Sequence, residues 1–388
     1  MVLRRANDLD YENRIGADVI ALAVWMFHGF CELDKVFLST SFVKMVCFAV
    51  MFLYFLLTKE KVVLSTRYFL VYVFFVLYYV FDAMVHLDIK SGISDGFQVM
   101  SWWLILLFSM LREHSNREIN LLFNAIKYAC LISSITLLVK NDWLSSKIMY
   151  TLWEGISINR NYIADFTTPG LLVVILQLVK NKKSILNWCI LVIFVFTCLQ
   201  PNSRTMFVIM ISMIAILLLW YAQKVQTKRM VRVFLFVFLA AVIGVFLAYI
   251  FLPESYISRL WAPDAYTLQT SSRWDLWVRA VRQVTNPVFG MGAGYNQETI
   301  VTGYGAHNMF VDLFCDAGLV AIAFAVYICK FFIRKDFVTL FMLIIPVSRS
   351  VLESGRSISV WAVLVLLAMM LVKSDLNDSS VESVILDL

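Results

Sequence analysis

Charge is what this chain has least of. Of its 388 residues only 15% are Asp, Glu, Lys or Arg, against 61% hydrophobic ones, and mean hydropathy is +0.79. A soluble domain carries about 25% charged residues, so a soluble globular body is excluded. The apolar stretches do not alternate polar and apolar residues either. The apolar runs are long and unbroken, which excludes a β-barrel and leaves helices to satisfy the backbone in lipid. The seven cysteines contain no CxxC pair. Cys47, Cys130, Cys189, Cys198 and Cys329 fall in apolar runs and Cys31 and Cys315 near their ends, so neither a zinc site nor a disulfide framework is indicated. HExxH and Walker motifs are absent, which argues against a metalloprotease and an ATPase. No internal repeat is visible, and neither a metal site nor a cofactor is expected.

What is present is a series of apolar stretches. A membrane-crossing helix needs about 20 residues, and somewhat fewer are tolerated. Twelve stretches qualify: 15–31, 36–57, 68–87, 97–111, 119–139, 162–179, 184–200, 205–222, 233–252, 308–332, 337–348 and 358–372. The expected fold is all-α: a polytopic transmembrane bundle of about 12 spans, forming one integral membrane domain over 1–388. The fourth, eleventh and twelfth stretches are short, and the eleventh also reads as part of a re-entrant segment. The first follows Arg4, Arg5 and Arg14 without a small-residue cleavage site and reads as a retained signal anchor. With the N-terminus inside, the inner segments hold 19 Lys and Arg and the outer segments 12, with Lys44 and Lys127 within spans. That bias places both termini in the cytoplasm. It also accounts for the net charge of +6 without a nucleic-acid partner. The acidic tail after Lys373 is expected to be poorly ordered.

One long interruption, 253–307, lies between the ninth and tenth spans and is expected to be an extracytoplasmic active-site loop. Within it, Ser272 and Asp275 resemble a capping-box start. Trp274, Trp277, Val278, Val281 and Val284 recur on one helical face, with Asp275, Arg279 and Arg282 opposite. Asn286-Pro287 ends the pattern. This predicts an amphipathic helix on or near the membrane surface. Eight of the twelve outer cations are Arg, where the positive-inside rule should have depleted them, and Arg suits bidentate phosphate recognition. Arg279 and Arg282 read either as a solvated face or as anion ligands. Arg273, at the edge of the apolar face, is a candidate anion ligand.

Arg204, in QPNSRT, stands where a helix begins, so its guanidinium and the free N–H groups of the helix point the same way. Arg160 in SINRNYIAD, at the end of the outer loop 140–161, and Arg349 and Arg356 in SRSVLESGRS, the outer loop 348–357, either complete a polyanion pocket or anchor the chain at the interface. His307, in GYGAHNMF, stands beside the Arg-rich loop, where imidazole could move a proton. His28, His86 and His114 read as interfacial or loop residues. Gly290, Gly292 and Gly294 have no βαβ unit around them, so they read as a tight turn that lets the backbone approach something closely, not as a nucleotide fingerprint. Trp261, Tyr266, Trp274, Trp277, Tyr295 and Tyr304 either stack on sugar faces or form an interfacial aromatic belt.

The ordered set N-R-N-Y-I-A at 159–164, P-N-S-R-T at 201–205, S-S-R-W-D-L-W at 271–277, N-P-V-F-G-M-G at 286–292 and H-N-M-F-V-D-L-F-C-D-A-G-L at 307–319 resembles the O-antigen polymerase and O-antigen ligase superfamily of bacterial glycan assembly. The resemblance covers roughly 155–325 by motif and the remainder by topology. It implies a metal-independent membrane glycosyltransferase of the bacterial inner membrane, with a polyprenyl-pyrophosphate-linked glycan as donor. Arg204 and Arg273 would hold the pyrophosphate, and His307 would activate the acceptor hydroxyl or steady the transition state. Arg160, Arg279, Arg282, Arg349, Arg356, Trp277, Tyr304 and Asn308 would contact pyrophosphate or glycan. Membrane lipids, a flippase and chain-length regulator proteins are the expected partners. The polymerase reading, in which the acceptor is another lipid-linked repeat unit, is preferred, because nothing in the chain speaks for a core-oligosaccharide site. The product would be O-antigen, capsule or exopolysaccharide. The alternatives are an O-antigen ligase acting on a lipid A core and, in another class, a lipid-linked glycan transporter. A transporter would want charged residues inside its spans and pseudo-repeated halves.

Overall fold

The computed structural model describes residues 15–33, 38–58, 62–86, 89–142, 149–201, 203–224, 273–292, 308–334, 336–352, 357–376 and 381–387. Their helices are α1 Ala17–Phe30, α2 Thr40–Leu57, α3 Thr66–His86, α4 Ile89–Ser109, α5 Asn116–Lys140, α6 Ile163–Lys180, α7 Ile185–Leu199, α8 Arg204–Lys224, α9 Arg273–Gln283, α10 Met309–Phe332, α11 Phe337–Leu352, α12 Ile358–Leu376 and α13 Val381–Asp387. The strands are β1 Met149–Trp153 and β2 Ile156–Asn159. Seven of these helices are long and apolar enough to cross a membrane, and four shorter ones are apolar. The chain is a polytopic helical membrane protein. Eleven of the twelve expected spans are helical here. The ninth, 233–252, and most of the loop 253–307 lie outside the described residues.

The helices fall into two compact units. One joins Met1–Ala129 to Ser272–Leu388, and the other is Cys130–Ser271. Each unit has one helix buried over most of its sides. In the first it is α12, buried from Ile358 to Ser374 except at Leu364 and packed by α1, α4, α10 and α11. An aromatic lattice fills this core: Trp25 against Trp102 (5.5 Å), Trp103 against Trp361 (4.8 Å) and Phe75 stacked on Phe324 (3.9 Å). In the second it is α6, buried from Ile163 to Val174 and packed by α7 and α8. By contrast α2 and α3 leave Leu56, Leu57, Phe74, Leu77 and Phe81 exposed. On a soluble surface such a patch would be a liability, whereas in lipid it is the ordinary outer face.

Lys44, inside a span, is buried with its Nζ 4.4 Å from the Trp102 ring, a cation–π seat for a charge that cannot reach water. A larger ionic cluster closes one end of the first unit. Arg112, between α4 and α5, donates through Nε and Nη2 to both Asp18 oxygens (2.9 and 3.0 Å) and through Nη2 and Nη1 to both Glu118 oxygens (2.7 and 3.1 Å). Burial opposes the Arg112 charge, but the hydrogen bonds and charges of Glu118 and Asp18 hold its proton more tightly than in an ordinary guanidinium. Ser115 and Glu118 form a capping box at the start of α5, through Ser115 N to Glu118 Oε2 (2.9 Å) and Glu118 N to Ser115 Oγ (3.2 Å).

Three expectations are corrected. The expected continuous helix 308–332 is broken at Ala317 and Gly318, whose backbones leave the helical region. The outer loop 140–161 also contains a β-hairpin, an addition to the expected helical bundle. The hairpin is built on an alternating apolar pattern that buries Tyr150, Leu152, Ile156 and Ile158. The helix at 337 runs to Leu352, so Arg349 is not in a loop. The acidic tail is partly ordered: Val381, Val384 and Ile385 on α13 are buried, and α13 packs on α11 and α12.

Candidate functional site

In the second unit the hairpin and two helix ends hold the basic turn. Asn141, just past α5, pairs with Thr151 like a strand neighbour: its Nδ2 donates to the Thr151 carbonyl (2.7 Å) and its Oδ1 accepts from Thr151 N (2.8 Å). The buried Gln200 donates to the Leu137 and Asn141 carbonyls (3.3 and 3.2 Å), tying the end of α7 to the same place. The hairpin then delivers Asn159, Arg160 and Asn161 to the start of α8. There Ser203 Oγ meets Asn161 Oδ1 at 3.4 Å. Thus the positions of Arg160 and Arg204 are each next to a residue of the same contact. The Arg160 Nη1 is buried with no hydrogen-bond partner among the described residues. A buried guanidinium N–H facing nothing is costly, and the first turn of α8 adds free N–H groups and a positive dipole end beside it. Such a place is fit for an anion.

In the first unit α9 packs on α10. Ala280 and Cys315 form the contact, flanked by Leu276, Trp277, Val284 and Val311. The packed stripe is therefore 276, 277, 280 and 284. It shares only Trp277 and Val284 with the expected face, because the small Ala280 lets the two helices close. Trp274 and Val281 point away and are exposed, as are Arg279 and Arg282. Trp277 is half-buried in that packing.

The segment after α9 is seated in the break of α10. Met291 N and Gly292 N donate to the Cys315 and Asp316 carbonyls (2.8 and 2.9 Å), and Leu319 N and Val320 N donate to the Pro287 and Val288 carbonyls (2.9 and 3.3 Å). The break frees carbonyls that a straight helix would use internally, and the passing segment satisfies them. Gly318 sits at φ 62°, ψ −153°, a region open to glycine alone, and a Cβ there would overlap the Val288 carbonyl. The close approach expected of the Gly-rich turn is also real: a Cβ at Gly292 would overlap the His86 side chain. From α3, Tyr79 donates to Asp316 Oδ2 (2.8 Å) and Tyr78 to the Phe289 carbonyl (3.0 Å).

Asn308 is buried and caps α10, accepting from Phe310 N and Val311 N (3.0 and 3.2 Å). Arg349 is fully buried near the end of α11. The backbones of Arg204 and Arg273 begin α8 and α9. His307, Tyr304 and Arg356 lie outside the described residues. Among the described residues no group of His, Cys, Asp and Glu is arranged to hold a metal ion.

A family model described as O-antigen ligase matches residues 189–326. The match bears out the resemblance to the O-antigen polymerase and ligase superfamily, and with it a glycosyltransferase-like membrane enzyme. It runs from α7 through α8 and α9 into α10, so it contains Arg204, Arg273 and His307 and leaves Arg160 outside. No curated protein and no solved structure matches the chain.

Proposed function

We propose that this protein polymerises polyprenyl-pyrophosphate-linked oligosaccharide repeat units on the extracytoplasmic face of a bacterial inner membrane, with both termini in the cytoplasm. The observation that carries this reading is the O-antigen ligase match over 189–326, set on membrane-crossing helices. The acceptor hydroxyl attacks the anomeric carbon of the donor, and the bond from that carbon to the pyrophosphate oxygen breaks. Attack from the opposite face inverts the anomeric centre. The leaving group gains negative charge in a low-dielectric setting, where fixed cations aimed at it give large transition-state stabilisation. Arg204 and Arg160 supply such cations at the head of α8. Arg273 is the second pyrophosphate ligand that the motif resemblance names, and His307 activates the acceptor hydroxyl or steadies the transition state. Protein cations do this work, so the reaction is metal-independent.

The ligase reading, transfer of glycan to a lipid A core, is favoured by the description of the matching family itself. One experiment separates the two. Purified protein is incubated with chelator and with the host's own polyprenyl-pyrophosphate-linked repeat unit, with and without added lipid A core, beside Arg204→Ala, Arg273→Ala and His307→Ala. A glycan ladder that the variants lose supports the polymerase. Transfer only to the added core supports the ligase. Neither product, from protein shown to be folded, overturns the reading.

A further inference from the structure

We propose that His86, held by Asp82, is a catalytic residue of this glycosyl transfer: it takes the proton of the acceptor hydroxyl. The inference rests on the function proposed above and adds a group to it. Asp82 and His86 are one turn apart on α3, at the helix end where Tyr78 bonds the seated segment and Tyr79 bonds Asp316 of α10. The His86 Nδ1 lies 3.2 Å from Asp82 Oδ1 and 3.0 Å from the Asp82 carbonyl. Both partners are acceptors, so Nδ1 carries the hydrogen and the lone pair is left on Nε2. The imidazole side chain is 37% exposed while the carboxylate is 8% exposed. The second oxygen of Asp82 is buried with no hydrogen-bond partner among the described residues.

A carboxylate kept at that depth with one histidine as its hydrogen-bonding side-chain partner is expensive, and ionisable groups inside membrane spans are functional candidates by default. A histidine that only closed the end of a helix would find its attraction in the helix dipole and would need no buried acid. Among the described residues, Asp316 on α10 is a further acid close by, and it is bonded to Tyr79; the segment that passes over His86 between Asn286 and Gly292 has no titratable side chain. That segment has room for the imidazole because residue 292 is glycine.

In the step, the hydroxyl proton passes to His86 Nε2 as the oxygen forms its bond to the anomeric carbon. The carbon–oxygen bond to pyrophosphate breaks, and its electron pair leaves with the pyrophosphate. The imidazolium so formed is stabilised by Asp82, a positioning residue, and returns its proton to water. His307 is then free to steady the leaving group.

The test uses the full-length protein in detergent with the same lipid-linked repeat unit. General acid–base groups contribute about 10²–10⁴ in rate, so His86→Ala should lose at least about 100-fold in kcat with KM little changed, and added imidazole should restore part of it. Asp82→Asn should lower kcat without imidazole rescue. In the wild type, carbethoxylation of His86 mapped by mass spectrometry should slow when acceptor is present, a readout that needs no variant. A His86→Ala or His86→Gln enzyme within about threefold of wild type, a loss that imidazole leaves untouched, or carbethoxylation indifferent to acceptor would each overturn the assignment. Wild-type protein that makes no glycan would instead remove the function beneath it.

Discussion

Two ion pairs of equal length in this protein should differ several-fold in worth. Arg112 Nη2 to Glu118 Oε1 and Arg334 Nη2 to Asp375 Oδ2 are both 2.7 Å. The first pair has side chains 9% and 3% exposed, the second 39% and 53%. Arg112→Ala strands two buried carboxylates, Asp18 and Glu118, and breaking a buried pair in this way costs about 3–5 kcal/mol. Arg334→Ala breaks a screened surface pair worth about 0.2–1 kcal/mol. At about 2.1 cal/mol/K of unfolding entropy per residue, a chain of this length shifts its Tm by roughly 1.2 °C per kcal/mol. Arg112→Ala should therefore unfold about 4–6 °C below wild type and Arg334→Ala within about 1 °C of it, by thermal unfolding in one detergent. Neutralising the whole cluster, with Arg112→Met, Asp18→Asn and Glu118→Gln together, should recover most of the loss, because the penalty lies in the stranded charges. Equal shifts for the two single variants would refute the claim that burial sets the value of the Arg112 cluster.

Arg160→Ala should lower glycan synthesis about 10–100-fold in the ladder assay, the worth of one charge-assisted hydrogen bond to an anion, and Arg160→Lys should not restore it. Gly318→Ala should destabilise the protein by about 1–3 kcal/mol through backbone strain at positive φ, and more if the overlap with Val288 unseats the segment; denaturation of the purified variant checks this. Asn308→Ala should cost about 0.5–2 kcal/mol as a lost helix cap, and Asn308→Ser should keep most of that. If Asn308→Ser holds its Tm yet loses activity, Asn308 also contacts the glycan.

Spans were legible because lipid leaves one solution for the backbone. Each apolar run whose residues are described became a helix, from 15–31 to 358–372. Apolar character says nothing of which charged residue finds a partner. Arg112 was counted as a topological cation, and its partners Asp18 and Glu118 lie 94 residues before and six after it. Arg349 was placed in a loop because its neighbours in SRSVLESGRS are polar, yet its helix continues and buries it. The break at Gly318 depends on a segment from elsewhere in the chain taking up the freed carbonyls, which no local pattern encodes. The hairpin did carry a signal: MYTLW and ISIN alternate about Glu154-Gly155, with Gly155 at φ 74°. So did Asp82 and His86, four residues apart on an apolar helix, a spacing that puts them on one face.

The sequence shows where the cations are; the fold shows which charges are left unsatisfied, and the second is the sharper guide to chemistry. Lys44 rests on Trp102, Arg112 is held by two carboxylates and Asp316 by Tyr79. Among the described Asp, Glu, Lys and Arg side chains, Asp82 and Arg160 are the two that keep a buried polar atom without a hydrogen-bond partner. A folded chain pairs such atoms nearly everywhere, since each unpaired one costs stability. These two have opposite signs and belong to separate units, and the glycosyl transfer proposed above would call on each kind of help. An anion must be received as the pyrophosphate departs, for which an open guanidinium N–H is suited. A proton must be taken from the acceptor, for which a carboxylate behind an imidazole is suited. The prediction that follows is kinetic: loss at Arg160 should lower turnover and weaken the response to donor together, and loss at Asp82 should lower turnover at saturating donor and acceptor.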